Sequence, residues 1–248
     1  SAWATEAKLS LGQVAVDSKS NEITAIPQLL ELLDLKGALV SIDAMGCQKE
    51  IAAKIVAGGG DYVLAVKGNQ EHLLEDVQNT VMRALEGERR PHTVVEHTTT
   101  EHGHGRDERR TVVVVNDVKG IRNRQSWPGL KTIIMCACER TVKGETSVEV
   151  RYFIGSRKMG VRRYAHALRG HWGIESMHWQ LDISFSEDAS RIQDRSGAAN
   201  FALLRKMGLC LLKQHPRKDS IARKRKGAAI DLDFLAEVLS GAARLEKV

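Results

Sequence analysis

Two short apolar runs, ALVSI (38–42) and DYVLAV (61–66), flank the segment QKEIAAKIVAGGG, and this strand–helix–strand order limits the fold more than any other feature. Each run is too short for a buried helix and is bounded by glycine or acidic residues, which is the pattern of strands rather than helices. The segment between them has helical spacing and stops at three glycines. ALVSI has the composition of a central strand covered on both faces. Upstream, NEITAIPQLLELLDL repeats Ile26, Leu29, Leu30 and Leu33 at helical intervals. Before it, SAWATEAK and LGQVAVD read as two strands joined at a tight turn. Downstream, EHLLEDVQNTVMRALEG is an amphipathic helix. A strand pair followed by helix–strand–helix–strand–helix predicts an α/β fold with a partly parallel sheet.

The pattern changes after residue 90. PHTVVEHTTTEHGHGRDERRTVVVVND, LKTIIMCACERTV and TSVEVRYFIGS are rich in Val, Thr and Ile with polar turns between them, and they predict consecutive antiparallel strands. After Gly160 the chain turns helical in VRRYAHALRGHWGIESMHWQLDI and again in SGAANFALLRKMGLCLLKQ. Pro216 and a basic run end that part, and DLDFLAEVLSGAARLEK closes the chain as a short helix.

The 248 residues carry a net charge of +6, so the location of the excess matters more than its size. It gathers at RDERR (106–110), RKMGVRR (157–163) and RKRK (223–226), and a locally basic surface points to a polyanion, nucleic acid first. Four cysteines without a CxxC pair do not form a zinc framework; Cys136 and Cys138 share one face of a strand as core residues. With no signal peptide and no membrane-length apolar run, a reduced, cytoplasmic protein is expected. The first residues, SAWATEAKLS, lack methionine and lie inside a structured segment, so a fragment is expected.

Two acids stand out. Asp43 follows ALVSI directly, at the carboxyl end of a strand, where open α/β sheets bind ligands; the plain alternative is a turn or helix-capping aspartate. Glu175 lies in HWGIESMHWQLD with His171 four residues before it, His178 three after and Asp182 seven after, all on roughly one helix face. The alternative there is an ordinary polar stripe. Carboxylates from separate elements that converge are what Mg²⁺ requires, and two such ions serve in-line displacement at phosphorus. Glu175 and His178 also form an ExxH pair, but no second ExxH lies in a segment that reads as a helix, as a di-iron bundle needs.

LVSIDAMGCQKEIA, DYVLAVKGNQ and RGHWGIESMHWQLDISFSEDASRI, in that order, closely resemble the H-repeat-associated insertion-sequence transposases of the DDE superfamily, over nearly the whole chain. The resemblance implies an RNase H-like mixed sheet flanked by helices, with a β-rich insertion before the helix carrying the last acid. It divides the chain into a first part of that core (1–90, lacking its first strand), the insertion (91–156), a helical completion (157–215), and a basic linker with a C-terminal helix (216–248). It implies that Asp43 is the second catalytic acid and Glu175 the third, holding two Mg²⁺ or Mn²⁺ ions. Asp182 is a further candidate metal ligand. The first acid belongs upstream of SAWATEAK, and Asp17 does not replace it. Arg169 and Trp172 match the flanking residues of the motif. Leu168, His171 and Asp182 stand where related signatures carry Tyr, Arg and Lys, so the role of that lysine does not transfer.

The expected partner is double-stranded DNA, both transposon ends and target, with a homodimer implied by the resemblance. Lys67, Asn69 and Gln70, at a strand end that opens a helix, are candidate phosphate or base contacts. Arg106, Arg109 and Arg110 are expected on a turn that offers them to DNA, and Arg169, His171 and Trp172 line the groove around Glu175. RKRK is expected to add nonspecific phosphate contacts. The leading function is metal-dependent phosphodiester hydrolysis and strand transfer by a truncated or inactive copy as given; the alternative is a catalytically dead DNA-binding remnant.

Overall fold

A parallel strand pair needs a crossover, and the helix between ALVSI and DYVLAV supplies one. The computed structural model describes residues 1–14, 22–87, 94–103 and 105–241. Residues 15–17 of the second expected strand, the first three residues of PHTVVEH, His104 and the last residues of the closing helix lie outside the described residues. The chain divides into two compact units: Val16–Arg169, and Ser1–Ala15 with Gly170–Val248.

The hairpin β1 (Ala2–Ala4) and β2 (Leu9–Gly12) pairs antiparallel in the second of these units. In the other unit, α1 (Glu22–Glu31) leads to β3 (Leu39–Ile42), α2 (Lys49–Ala57), β4 (Asp61–Val66) and α3 (Glu71–Leu85). Four long strands follow: β5 (Val94–Gly103), β6 (Arg106–Val115), β7 (Thr132–Val142) and β8 (Glu145–Gly155). One six-stranded sheet results, in the order β3-β4-β8-β7-β6-β5. The β3–β4 pair is parallel and every other pair antiparallel.

Alternation along the strands sets the two faces of this sheet. Tyr62, Leu64, Val66, Val113, Val115, Ile133 and Ile154 pack with Ile51, Ile55, Leu73, Val77 and Val81 of α2 and α3. Val63, Val112, Val114, Ile134, Cys136 and Phe153 pack on the opposite side with Val161, Tyr164 and Leu168. The far halves of the long strands leave this core: Glu145–Val150 of β8 are exposed, as are most residues of β5. There hydroxyl pairs replace apolar packing, Thr98 with Thr111 at 3.0 Å and Thr141 with Thr146 at 2.8 Å.

Among the described residues β3 pairs with β4, and all four of its residues are half-buried.

The other unit is helical around the β1–β2 hairpin. Helix α4 (Val161–Phe185) contributes its residues from Gly170 onward. Met177, Leu181 and Leu209 form a buried centre with Trp3, Ile174, Phe185 and Ile221. Helices α5 (Arg195–Gln214), α6 (Ile221–Ile230) and α7 (Leu232–Ser240) follow, each started by a side-chain cap: Asp194 on Gly197 N–H, Ser220 on Arg223 N–H, and Asp231 on Asp233 and Phe234 N–H. The expected basic linker is therefore largely the helix α6. Within RKRK, Lys224 is buried and donates from Nζ to the carbonyls of Leu212 (3.0 Å) and His215 (2.8 Å), satisfying groups at the end of α5. It is not available to phosphate.

Candidate active site

Ile42 ends β3, and the next residue, Asp43, opens a tight loop with its side chain exposed. Gly46 N–H donates to Asp43 Oδ1 at 3.3 Å, and Cys47 N–H returns to Ala44 O at 3.2 Å. Gly46 has no room for a side chain: a Cβ there would stand 2.2 Å from Ile42 Cγ2 and 3.1 Å from Ile26 Cδ1. The glycine of IDAMGC is thus what lets the loop fold back over β3 and hold the aspartate at the strand's end.

Because β3 and β4 run parallel, the loop leaving β4 lies along the same edge of the sheet. Lys67 is exposed there, followed by a single 3₁₀ turn at Gly68–Gln70. Asn69 Nδ2 donates to Ala44 O at 2.7 Å, and Gln70 Nε2 donates to Cys47 O at 2.9 Å. Both side chains are therefore occupied in binding the Asp43 loop to the β4 exit. Expected as DNA contacts, both also position the Asp43 loop in this structure. Lys67 keeps an outward charge, which adds to the stronger effect of Arg151 in holding the Glu149 carboxyl below its ordinary range.

Glu175 belongs to the other unit and is exposed on α4. Met177 and Leu181, on the opposite side of the helix, are fully buried and fix its rotation. Two glycines of RGHWGIE bring the helix close to the β1–β2 hairpin. A Cβ on Gly170 would meet Thr5 Cγ2 at 2.6 Å, and one on Gly173 would meet the Trp3 indole at 3.3 Å. His171, Trp172 and Asp182 are half-buried. Burial lowers the His178 pKa, with Lys206 adding to the effect and Glu187 and Asp182 opposing it.

The arginines expected on a loop lie on β6, in register with their neighbours. Glu108, 6% exposed, accepts from Arg110 and from Arg106 (3.1 Å), with Arg140 at 3.8 Å. Glu101 stands directly opposite Glu108 and takes Arg169 at 2.7 Å and Arg110 at 3.5 Å. Without these arginines the two facing carboxylates would repel across the strands. Arg109 points to the other face, 3.8 Å from Glu139. Arg110 is thereby a structural residue, its side chain only 12% exposed, while Arg106, Arg109 and Arg169 remain about half exposed.

Sequence reasoning missed Gly46, Gly170, Gly173, Glu101 and Glu108. The glycines were visible within the motifs, but the atoms they accommodate come from other segments. The two glutamates depend on strand register. Among the described residues no three His, Cys, Asp or Glu side chains come together as a ready-made metal cluster. Asp43 and Glu175 are nevertheless hard oxygen donors, exposed and free of ion pairs with lysine or arginine among the described residues, and that chemistry suits a magnesium-type cation.

The family model described as "Transposase DDE domain" matches residues 1–211. The chain is 42% identical over 255 aligned residues to "Putative transposase YncI" of Escherichia coli O157:H7, covering 99% of this chain and 64% of that protein. It is 38% identical over 250 residues to "H repeat-associated putative transposase YhhI" of Escherichia coli K12, covering 97% and 65%. A shorter match, 45% identical over 115 residues, links it to "H repeat-associated putative transposase YbfD" of the same strain. The chain thus spans under two thirds of the length of the first two relatives. The six-stranded mixed sheet flanked by helices agrees with the RNase H-like fold expected from the motifs.

Proposed function

This chain belongs to the transposase DDE domain family, and we propose that it supplies two acids, Asp43 and Glu175, for metal-dependent cleavage and transfer of DNA strands at insertion-sequence ends. The observation that carries this reading is the construction around Asp43. A carboxylate is held exposed at the end of a parallel strand, on a loop pinned from below by Gly46 and from the side by Asn69 and Gln70. A surface aspartate with no task needs no such support. Glu175 supplies the second carboxylate from α4, and Asp182 is a further donor on the same helix. Bound Mg²⁺ or Mn²⁺, two ions in the proposed reaction, would acidify the attacking hydroxyl and offset charge on the leaving oxygen. The chain's own residues hold the acids in place and present Lys67, Arg106, Arg109 and Arg169 to the phosphates of double-stranded DNA at transposon ends and target. His171 and Trp172 border Glu175 on its helix.

The test is strand cleavage by the full-length protein on DNA carrying its element ends. Asp43→Asn and Glu175→Gln should each abolish nicking while duplex affinity changes by less than about threefold. Equal loss of both properties would make the residues structural.

A second reading, a DNA-binding remnant without catalysis, is favoured by the absence of any cluster of three metal-ligating side chains among the described residues. Mn²⁺-dependent nicking by residues 1–248 alone, lost in Asp43→Asn, would exclude it.

A further inference from the structure

Strand β5 ends the six-stranded sheet at the side opposite β3, with ten residues, Val94–Gly103, and no partner beyond it among the described residues. Edge strands are ordinarily guarded by charged side chains, especially lysine, by proline, by a bulge or by shortness. β5 contains no lysine or proline and pairs with β6 in unbroken register from Val94↔Val115 to Gly103↔Arg106, so its only guards are the charges of Glu96 and Glu101. A long hydrogen-bonding edge is left without a strand partner among the described residues.

The sequence of that edge is complementary to itself. In an antiparallel ladder both residues of an opposed pair turn their backbone groups the same way, toward each other or away. Two copies of β5 can therefore meet about a two-fold axis only when the axis passes through a residue. With the axis at Thr99, Glu96 faces His102 of the second copy, His97 faces Glu101, Thr98 faces Thr100 and Thr99 faces itself. Every acid then meets an imidazole and every threonine a threonine. Moving the axis to Thr98 sets Glu101 against Val95, and moving it to Thr100 sets His97 against Gly103. Only the Thr99 axis of these three opposes acids to imidazoles.

The side chains are already arranged for this pairing. His102 Nδ1 is held by Asp107 at 2.7 Å, which turns its Nε2 outward. Arg169 and Arg110 both approach Glu101 on Oε2, which leaves the Oε1 side for a ring from a second copy. The threonines continue the hydroxyl pairing that Thr98 and Thr111 make across the β5–β6 pair.

We propose that β5 is a self-association edge, through which two copies of this chain join their sheets antiparallel about Thr99 into an isologous dimer. This stands independently of the nuclease reading, since it uses neither Asp43 nor Glu175.

The test is sedimentation velocity of the chain across micromolar to submillimolar concentration, without DNA. Wild type should show a concentration-dependent monomer–dimer equilibrium. His97→Glu sets a second carboxylate directly opposite Glu101, twice per dimer, and should weaken association about tenfold or more, with an unchanged far-UV spectrum. As a register readout that does not depend on affinity, Thr99→Cys should form a disulfide-linked dimer under mild oxidation well above the wild-type background. Thr98→Cys, whose opposite residue is Thr100, should not. A monomer at every concentration overturns the proposal, as does a dimer indifferent to His97→Glu or equal crosslinking at positions 98 and 99. A monomer whose β5 amides gain exchange protection only on adding duplex DNA overturns it in favour of a nucleic-acid contact.

Discussion

Asn69 reaches across the edge of the sheet and donates from Nδ2 to the main-chain carbonyl of Ala44, at 2.7 Å, one residue beyond Asp43. The polar residues leaving β4 thus act as a splint for the loop leaving β3. Asn69→Ala should cost roughly 1 kcal/mol of stability and lower the cleavage rate of the full-length protein without lowering its duplex affinity. Chemical denaturation and a filter-binding titration check the two halves. Loss of affinity with an unchanged cleavage rate would return Asn69 to the DNA surface.

Gly46→Ala should be more damaging than its size suggests. The new methyl would enter the space of Ile42 Cγ2, a branched atom that cannot swing aside. Overpacking of this kind costs about 1–3 kcal/mol. The unfolding midpoint should fall accordingly, and cleavage should fall further than stability because Asp43 moves with the loop. A variant of wild-type stability would mean that the loop is softer than the contacts imply.

Glu108 is buried among Arg106, Arg110 and Arg140. Removing it leaves confined guanidinium groups without their counter-charge, so Glu108→Ala should destabilise the β5–β8 sheet by about 3 kcal/mol. It should also tighten salt-sensitive duplex binding, because the released arginines can then meet phosphate. Measured affinity at two salt concentrations decides the second part; an unchanged salt slope would remove these arginines from the DNA-facing set.

The RKRK run should behave as two different kinds of residue. Lys224→Ala removes the donor to Leu212 O and His215 O and should cost about 1–3 kcal/mol with no effect on DNA affinity. Arg225→Ala with Lys226→Ala should show the reverse, little change in midpoint and a shallower salt dependence. Thermal melts paired with salt-dependent binding separate them.

What was legible in the sequence is what period and punctuation encode. The strand–helix–strand unit, the long β-rich stretch and the helix carrying Glu175 follow from spacing, and Asp43 was found because it directly follows an apolar run. Contacts between distant segments were not legible. Asn69 and Gln70 carry the groups of a phosphate-binding turn, and only the parallel β3–β4 register shows that carbonyls from 23 to 25 residues earlier claim them. The arginines of RDERR looked like a basic loop because their acids, Glu101 and Glu108, become neighbours only through the β5–β6 register. Lys224 was hidden for a related reason: a long flexible stem lets a buried lysine end on backbone carbonyls at the end of the preceding helix.

The proposed function requires that Asp43 and Glu175 hold the same divalent ion in the full-length protein bound to DNA. Ferrous iron loaded in place of magnesium, then treated with ascorbate and peroxide, generates hydroxyl radicals that cut the polypeptide within reach of the bound ion. The account predicts cuts beside both Asp43 and Glu175, with both sets abolished by Glu175→Gln alone. Cutting beside only one acid, or cutting at Asp43 that survives Glu175→Gln, would contradict it.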